Sequence, residues 1–529
     1  MAIAAVSTSA TQSMTGADRL CDALLAHDVD VCFANPGTSE MHFVAALDRQ
    51  PRMRCILGLF EGVVTGAADG YARMSDRPAA TLLHLGPGLA NGLANMHNAR
   101  RAHSPMINIV GDHAVEHLPL DSPLTSDIDS LARPMSRWVR RIGDPSRIDH
   151  DVAEAWAQSM APGISTLILP ADMAWNEHVY REDLARGERL PQAPLEQTTV
   201  ARVGAAIRGG RKVVLLLTGA ALREGALRIA DGIRRATGVE IYAQGSNGRI
   251  ERGRGRAPIA KLPMTHEGGG PLLRGVDMLV LIGAKEPVSF FAYPNRQGRL
   301  APPSCEIVRL AGPDQDLAQA LAWLADEVGV KIGASPTTPM ATSAPENPSN
   351  GALTVDAVNR LVAARLPEQA IICDEALTSS GFFDYSYDAP PHDYLQITGG
   401  AIGIGIPMAA GAAVACPDRK VINLQADGSG MYTVQGLWTH ARENLDVVTI
   451  VFSNRSYATL WGEMSKVGAQ TPGRNAQRML QLDQPELDWT KLAGGLGVES
   501  SRVTTVPEFS RALDAALGRR GPYLIEAMV

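Results

Sequence analysis

The chain has 529 residues, 45% of them hydrophobic, and a formal net charge of -7. That length predicts about three domains. The balanced charge gives no electrostatic case for nucleic acid or a membrane surface, and no apolar run reaches the roughly 18 residues of a membrane span.

The amino end, residues 1–14, is rich in Ala, Ser and Thr. It lacks the early basic cluster of a signal peptide and reads as a disordered tail. Cysteines at 21, 32, 55, 305, 373 and 416 show no CxxC spacing. Most lie in apolar contexts, which points to buried thiols and a cytoplasmic location.

From 15 to 185, apolar runs at 29–34, 54–59, 79–84 and 106–110 predict strands with helices between them. Glu61 opens one of these helices, followed by the small residues Gly62, Gly66, Ala67, Ala68 and Gly70. Small residues let a helix lie close to a partner. His84 ends a strand just before Leu-Gly-Pro-Gly. Residues 186–200 lose all periodicity and read as a linker. From 201 to 334 the strand-like runs are 212–218, 240–243 and 278–282. Arg249, Arg252, Arg254 and Arg256 form a basic cluster that reads as a solvated loop. Gly268-Gly-Gly270 is too weak a pattern to carry a nucleotide site. A Pro/Ser/Thr-rich linker follows at 335–351. From 352 to 529, runs at 370–373, 420–425, 447–452 and 523–527 predict strands again. The expected fold is α/β three times over, each domain a doubly wound parallel sheet.

The last block holds the most informative local pattern. Asp427 ends one strand-like run, a helix-like run spans about 432–444, and Asn454 ends the next strand. That is a parallel βαβ unit, so both polar residues emerge at the carboxyl edge of the sheet, where ligands of open α/β sheets bind. A carboxylate and an amide oxygen there suit a hard cation such as Mg²⁺. Gly428, Ser429 and Gly430 open the helix, whose amino end favours phosphate.

Ala426-Asp-Gly-Ser followed by Asn454-Arg-Ser resembles the Gly-Asp-Gly…Asn motif of the thiamine-diphosphate-dependent enzymes. The run Phe60-Glu-Gly-Val-Val-Thr-Gly-Ala-Ala-Asp-Gly-Tyr-Ala-Arg resembles their pyrimidine-binding domain. The resemblance spans essentially the whole chain, with pyrimidine-binding (15–185), central (201–334) and diphosphate-binding (352–529) domains in that order. It implies thiamine diphosphate and Mg²⁺ as cofactors, with Asp427, the Asn454 side chain and the Ser456 carbonyl as metal ligands. Glu61 takes the place of the catalytic Glu that hydrogen-bonds N1′ of the aminopyrimidine and favours formation of the C2 ylid. Ile402 matches the bulky residue that holds the cofactor bent. Thr378, Ser379, Gly428 and Ser429 match diphosphate contacts. One departure is visible: the motif's first Gly is Ala426, from which altered packing is expected and not a lost metal. In flavin-binding relatives the middle domain holds FAD, but a solvated loop is the preferred reading of the Arg cluster here.

Two branches are similar: benzoylformate decarboxylase and the acetolactate synthase large subunit. Asn35-Pro-Gly-Thr-Ser-Glu40 resembles the decarboxylase's Asn-Pro-Gly-Ser-Asn-Glu, which puts Thr38 at its substrate-contacting Ser. His84 stands at its catalytic His. Leu460, with Trp461 beside it, resembles its apolar substrate pocket. The synthase's Phe-Gln pair should fall near Pro123-Leu124, and neither residue can supply that amide. The decarboxylase's second His should fall near Phe291-Ala292-Tyr293 and is missing, with His113, His117 and His266 as possible substitutes. The resemblance thus implies a decarboxylase of an apolar or aromatic 2-oxo acid, working through ylid and enamine intermediates. The missing His leaves room for carboligation with an aldehyde acceptor. An acetolactate synthase-like carboligase and a catalytically silent, cofactor-binding paralogue are the alternatives. A homodimer or homotetramer is the expected assembly, because in the family the pyrimidine domain of one subunit faces the diphosphate domain of another.

Overall fold

The computed structural model describes residues 11–294, 296–331, 347–469 and 471–529. Three sheets of five or more strands carry the fold, and contacts divide the chain into two compact units, Met1–Pro191 and Gln192–Val529.

The first unit is built on a six-stranded parallel sheet in the order Arg54–Leu57, Val31–Asn35, Ala79–Leu83, Met106–Asp112, Ile164–Pro170, Trp138–Arg141. The inner strands are almost wholly buried, as helices on both faces of a parallel sheet require. The chain runs outward from Val31–Asn35 to the edge strand, then crosses back to Ala79–Leu83. Connections therefore diverge between Asn35 and His84, and the crevice at their carboxyl ends is the topological switch point. Helices Glu61–Ser75 and Leu85–Ala102 pack tightly together. A Cβ at Gly92 would lie 2.9 Å from Thr65 Cγ2, and Asn95 Nδ2 donates to the Gly62 carbonyl at 2.7 Å.

The expected disordered tail is corrected at its end. Thr11–Thr15 is a strand, paired antiparallel with Glu177–Arg181, where its backbone groups find partners. Residues 1–10 lie outside the described residues.

The second unit carries two sheets. The five-stranded one runs Ala260–Lys261, Glu240–Ala243, Val213–Leu217, Met278–Ile282, Glu306–Ala311, all parallel. The seven-stranded one runs Ile250–Arg252, His392–Gln396, Ile371–Glu375, Val421–Ala426, Val447–Ser453, Tyr523–Met528, Glu499–Val503. Its first strand comes from the middle block and pairs antiparallel with His392–Gln396. One apolar core runs continuously from Val200 to Ala527, which is why the second and third sequence blocks form one compact body. Helix Gln197–Arg208 begins inside the span read as the first linker. The second linker lies outside the described residues up to 346.

The basic cluster is not a solvated loop. Arg252 is 3% exposed, its guanidinium 3.5 Å over the Phe383 ring and bonded to Ser386 Oγ, Ile259 O and Phe383 O. Arg249 pairs with Asp393 at 2.5 Å, and Arg256 donates to the His392 carbonyl. Only Arg254 of the four is largely in solvent. The thiols are also more varied than expected. Cys21, Cys32 and Cys373 are buried, Cys305 and Cys416 are half-buried, and Cys55 is exposed. Among the described residues no helix is long and apolar enough to cross a membrane.

Candidate active site

Each unit presents its predicted residues at the carboxyl edge of a parallel sheet, around its switch point. In the first unit these are Thr38, Glu61 and His84. Glu61 is the first residue of helix Glu61–Ser75 and is 6% exposed. Asn91, from the facing helix, donates to its Oε2 at 2.9 Å. A Cβ at Gly88 would stand 3.0 Å from its Oε1. The glycine thus keeps a side chain away from Oε1, the oxygen that Asn91 leaves unbonded.

His84 Nδ1 lies 2.8 Å from Glu40 Oε2. Glu40 itself is buried and held by Gly37 N–H at 2.8 Å and Ser39 Oγ at 2.6 Å. Because the carboxylate only accepts, Nδ1 carries the hydrogen in this pair and Nε2 is the nitrogen left for a ligand. In the sequence Glu40 merely closes the Asn35–Glu40 motif. The pairing joins a strand-end His to a helical turn far away in the chain, and no local pattern announces it. Thr38, in the same short turn, is exposed. Packing around the pair is close: a Cβ at Gly37 would fall 2.1 Å from His84 Nδ1, and one at Gly111 would fall 1.8 Å from Glu40 Oε1. Gly37→Ala must therefore displace the imidazole. We expect it to cost turnover about as much as His84→Ala, roughly 10²-fold as for loss of an acid–base group, while cofactor affinity stays within a few-fold. Steady-state kinetics beside calorimetric binding checks this; a fully active Gly37→Ala would remove His84 from the reaction.

In the second unit the switch point lies between Ile371–Glu375 and Val421–Ala426, since the chain runs out to His392–Gln396 before returning. Thr378 and Ser379 lie in the short helical turn after the first strand, Thr378 exposed and Ser379 buried. Asp427 begins the turn after the second. It is 2% exposed, and its oxygens accept the N–H groups of Gly428 at 2.8 Å and Arg455 at 2.6 Å. Burial pushes its pKa up, and among the described residues no cationic side chain pairs with it. A buried carboxylate beside an amide and backbone carbonyls is a donor set for a hard divalent cation, so these residues fit the expected Mg²⁺. Among the described residues no group of three or more His, Cys, Asp or Glu side chains could hold a metal; the expected ligand set is of a different kind, with a single carboxylate.

Asn454 follows strand Val447–Ser453, its Oδ1 accepting from Ser456 N–H at 2.9 Å. Ala426 has φ -78° and ψ 147°, a conformation open to any residue, so its methyl brings no backbone strain. A Cβ at Gly428 would lie 2.5 Å from the Tyr457 ring, which requires the glycine. The Ser429 hydroxyl faces inward, accepting from Gln425 Nε2 at 2.6 Å and donating to the Ala426 carbonyl at 3.2 Å. Only its backbone is left for a phosphate. The expected helix over 432–444 is shorter, Gly436–Arg442, after a separate turn Asp427–Gly430. The Thr433 hydroxyl instead bonds the Gly403 carbonyl, which fixes the segment between the two.

Three non-glycine residues with left-handed backbones adjoin predicted site residues: Leu85 (φ 48°) after His84, Leu377 (φ 52°) before Thr378, and Arg455 (φ 55°) after Asn454. Each costs about 1–3 kcal/mol and persists only where surrounding structure imposes it. These three stand where strands turn toward predicted site residues; other left-handed non-glycine residues, such as Asp28, Asp76 and Gln369, lie away from them.

Ile402 sits between Gly400 (φ 78°) and Gly403 (φ 98°) and is half-buried. Leu460 and Trp461 lie on helix Ala458–Lys466, Leu460 45% exposed and Trp461 Nε1 bonded to Ser456 Oγ. Tyr293, from the segment lacking the second His, bonds Glu463 of the same helix. Of the possible substitutes, His266 bonds the Gln297 carbonyl, and the His117 ring lies 5.4 Å from that of His113, tilted by 54°. His113 stands just past strand Met106–Asp112, at the same sheet edge as His84, with Nε2 2.9 Å from Ser122 Oγ.

Comparison with known proteins agrees with this architecture. Residues 14–132 match the model of the thiamine pyrophosphate enzyme N-terminal TPP binding domain, and residues 379–527 match its C-terminal TPP binding domain. The chain is 48% identical over 520 residues to a Mycobacterium tuberculosis protein named "Putative acetolactate synthase large subunit IlvX", covering 98% of this chain and 99% of that one. It is 28% identical over 535 residues to benzoylformate decarboxylase of Pseudomonas aeruginosa, covering 94% and 96%. Its fold matches a solved thiamine diphosphate-dependent 4-hydroxybenzoylformate decarboxylase of Rhodococcus jostii with a TM-score of 0.84 at 24% identity, over 98% and 99% of the two chains. With its strand-edge acid and its Asp-Gly-Ser…Asn turn, the chain belongs to the thiamine pyrophosphate enzymes, in the family that includes acetolactate synthase and benzoylformate decarboxylase.

Proposed function

We propose that this protein is a Mg²⁺-dependent decarboxylase of an apolar or aromatic 2-oxo acid, with carboligase activity toward an aldehyde. The observation that carries the reading is the His84–Glu40 pair, 2.8 Å apart at the switch point of the first sheet. A fixed imidazole there is an acid–base group of the kind that decarboxylation and product protonation need. When bound, thiamine diphosphate supplies a carbon nucleophile and an electron sink for cleaving a bond beside a carbonyl. Asp427, Asn454 and the Ser456 carbonyl would hold its metal, and the Gly428–Ser429 backbone and the Thr378 turn would meet its diphosphate. With Oε2 held by Asn91, Glu61 would hold or take up a proton at Oε1, facing the cofactor's pyrimidine. His84 Nε2 serves the substrate carboxylate or carbonyl. Leu460 and Trp461 bring no charge for a dicarboxylate, and an apolar pocket selects mainly by size.

The identity to the Mycobacterium tuberculosis protein favours a second reading, an acetolactate synthase-like carboligase. A catalytically silent paralogue is disfavoured by the intact Glu61, Asp427 and Asn454. One experiment separates all three: CO₂ release and product analysis with a panel of 2-oxo acids, with and without aldehydes, at a protein concentration where light scattering reports a dimer or tetramer. The expected result is aldehyde from an aromatic 2-oxo acid, and 2-hydroxy ketone in competition with it when an acceptor aldehyde is present. Acetolactate from pyruvate alone would favour the second reading, and no CO₂ from any acid the third. An active monomer would contradict the expected assembly.

A further inference from the structure

Glu375 was not singled out by any motif, yet it is the most heavily bonded carboxylate at the carboxyl edge of the seven-stranded sheet. It ends strand Ile371–Glu375 and is 1% exposed. Its Oε1 accepts the N–H groups of Gly403 at 2.6 Å and Ile404 at 3.3 Å; its Oε2 accepts Gly405 N–H at 2.7 Å and Gln425 Nε2 at 2.9 Å. A carboxylate offers about four lone-pair sites, and here all are used. No basic side chain is among these partners.

The backbone donors identify what the group does. Gly403, Ile404 and Gly405 are the entry to helix Gly405–Ala415, which has no side-chain cap of its own and no acidic residue in its first turn. Glu375 supplies that cap from a neighbouring strand, where the helix dipole also favours an anion. Gly405 is needed for the approach, since a Cβ there would fall 3.0 Å from Glu375 Oε2 and 2.2 Å from Gln425 Oε1. The capped residues directly follow Ile402. On the other side, the Thr433 hydroxyl holds the Gly403 carbonyl at 2.9 Å. Gln425 extends the same network, donating to Ser429 Oγ at 2.6 Å in the turn that carries Asp427 and Gly428.

We propose that Glu375 is a positioning residue: it clamps the Ile402 turn in place and ties it through Gln425 to the Asp427–Ser429 turn, so that the two halves of the cofactor cradle in this unit keep one spacing. A further consequence is that the N–H groups of Gly403, Ile404 and Gly405 are occupied by Glu375 and are not left for a phosphate. The proposal rests on the reading of Ile402 as the residue that holds the cofactor bent.

The test compares wild type, Ile402→Ala, Glu375→Gln and the double variant. Gln keeps the size but turns an N–H₂ group against backbone N–H donors. Two quantities are read: affinity for thiamine diphosphate with Mg²⁺, and the rate of deuterium exchange at C2 of the bound cofactor. We expect Glu375→Gln to slow exchange roughly tenfold or more, the equivalent of about 1.4 kcal/mol, with a smaller change in affinity. The double variant should be no slower than the slower single variant, because both act on one turn. Glu375→Asp, which keeps the charge but withdraws it by one methylene, should not rescue the rate. A wild-type exchange rate in Ile402→Ala would overturn the reading of Ile402 itself. Slowed exchange in Ile402→Ala with a wild-type rate in Glu375→Gln, or losses that simply add, would overturn the role of Glu375. A readout free of the cofactor covers the case in which Glu375→Gln does not fold. In wild-type apoprotein the amides of 403–405 should be protected from hydrogen exchange like those of the neighbouring strand; exchange as fast as an open loop would also sink the proposal.

Discussion

Asp427→Ala and Asn454→Ala should each abolish Mg²⁺-supported binding of thiamine diphosphate. Asp427 supplies the charge of the site: it is nearly fully buried, bonded to two backbone N–H groups and pushed up in pKa by its burial. A divalent cation is the partner that lets such a group remain ionised. Removing it takes away the only carboxylate of the proposed ligand set. Loss of a partner one shell further out typically costs 10- to 100-fold in metal affinity, so loss of the ligand itself should exceed about 100-fold. Asn454→Ala removes an oxygen and also the acceptor of the Ser456 N–H, so it should loosen the turn that presents the Ser456 carbonyl. Titration calorimetry with and without Mg²⁺ measures both effects. Unchanged affinity in both variants would refute the metal assignment.

The second large effect is expected at Glu61. Glu61→Gln preserves size and can still accept the hydrogen bond from Asn91, which reaches Oε2 at 2.9 Å. What it loses is the ability to give and take a proton at the other oxygen, the one kept clear by Gly88. Cofactor affinity should stay within a few-fold, while deuterium exchange at C2 of the bound cofactor should fall by at least the roughly 10²-fold typical of an acid–base partner. The sign is unambiguous because the amide cannot ionise. Quenched-flow exchange followed by NMR of the extracted cofactor reads it directly, and a wild-type exchange rate in the variant would remove Glu61 from its role. The two experiments are complementary: the first acts on binding and the second on a proton, in different units of the chain.

Local patterns carried much of this protein. The apolar runs at 106–110, 278–282 and 447–452 became buried parallel strands because such strands, covered on both faces, need no alternation and stand out as uninterrupted apolar stretches. Asp427, Asn454 and Glu61 were legible for a related reason: Asp427 and Asn454 immediately follow strands and Glu61 opens the helix after one, and in a parallel sheet the carboxyl end faces the ligand crevice wherever the domain lies. The sequence by itself thus determined the fold class, the sheet edge that matters and the residues standing on it.

Tertiary structure decided whatever depends on a partner distant in the chain. Arg252 sits in a run of Arg and Gly that looks solvated, yet its guanidinium is stacked on Phe383 and bonded to Ser386, more than a hundred residues later. Glu40 becomes the anchor of His84 only when two strand ends meet at a switch point. Glu375 looks like any strand-end acid until the turn after Ile402 closes its N–H groups over it. The strained backbones of Leu85, Leu377 and Arg455 are likewise absent from any propensity, since a left-handed leucine is held there only by packing. Side-chain identity and spacing set which groups reach the edge of a sheet; the long-range contacts set which of them are oriented, which are neutralised, and which are left facing the crevice.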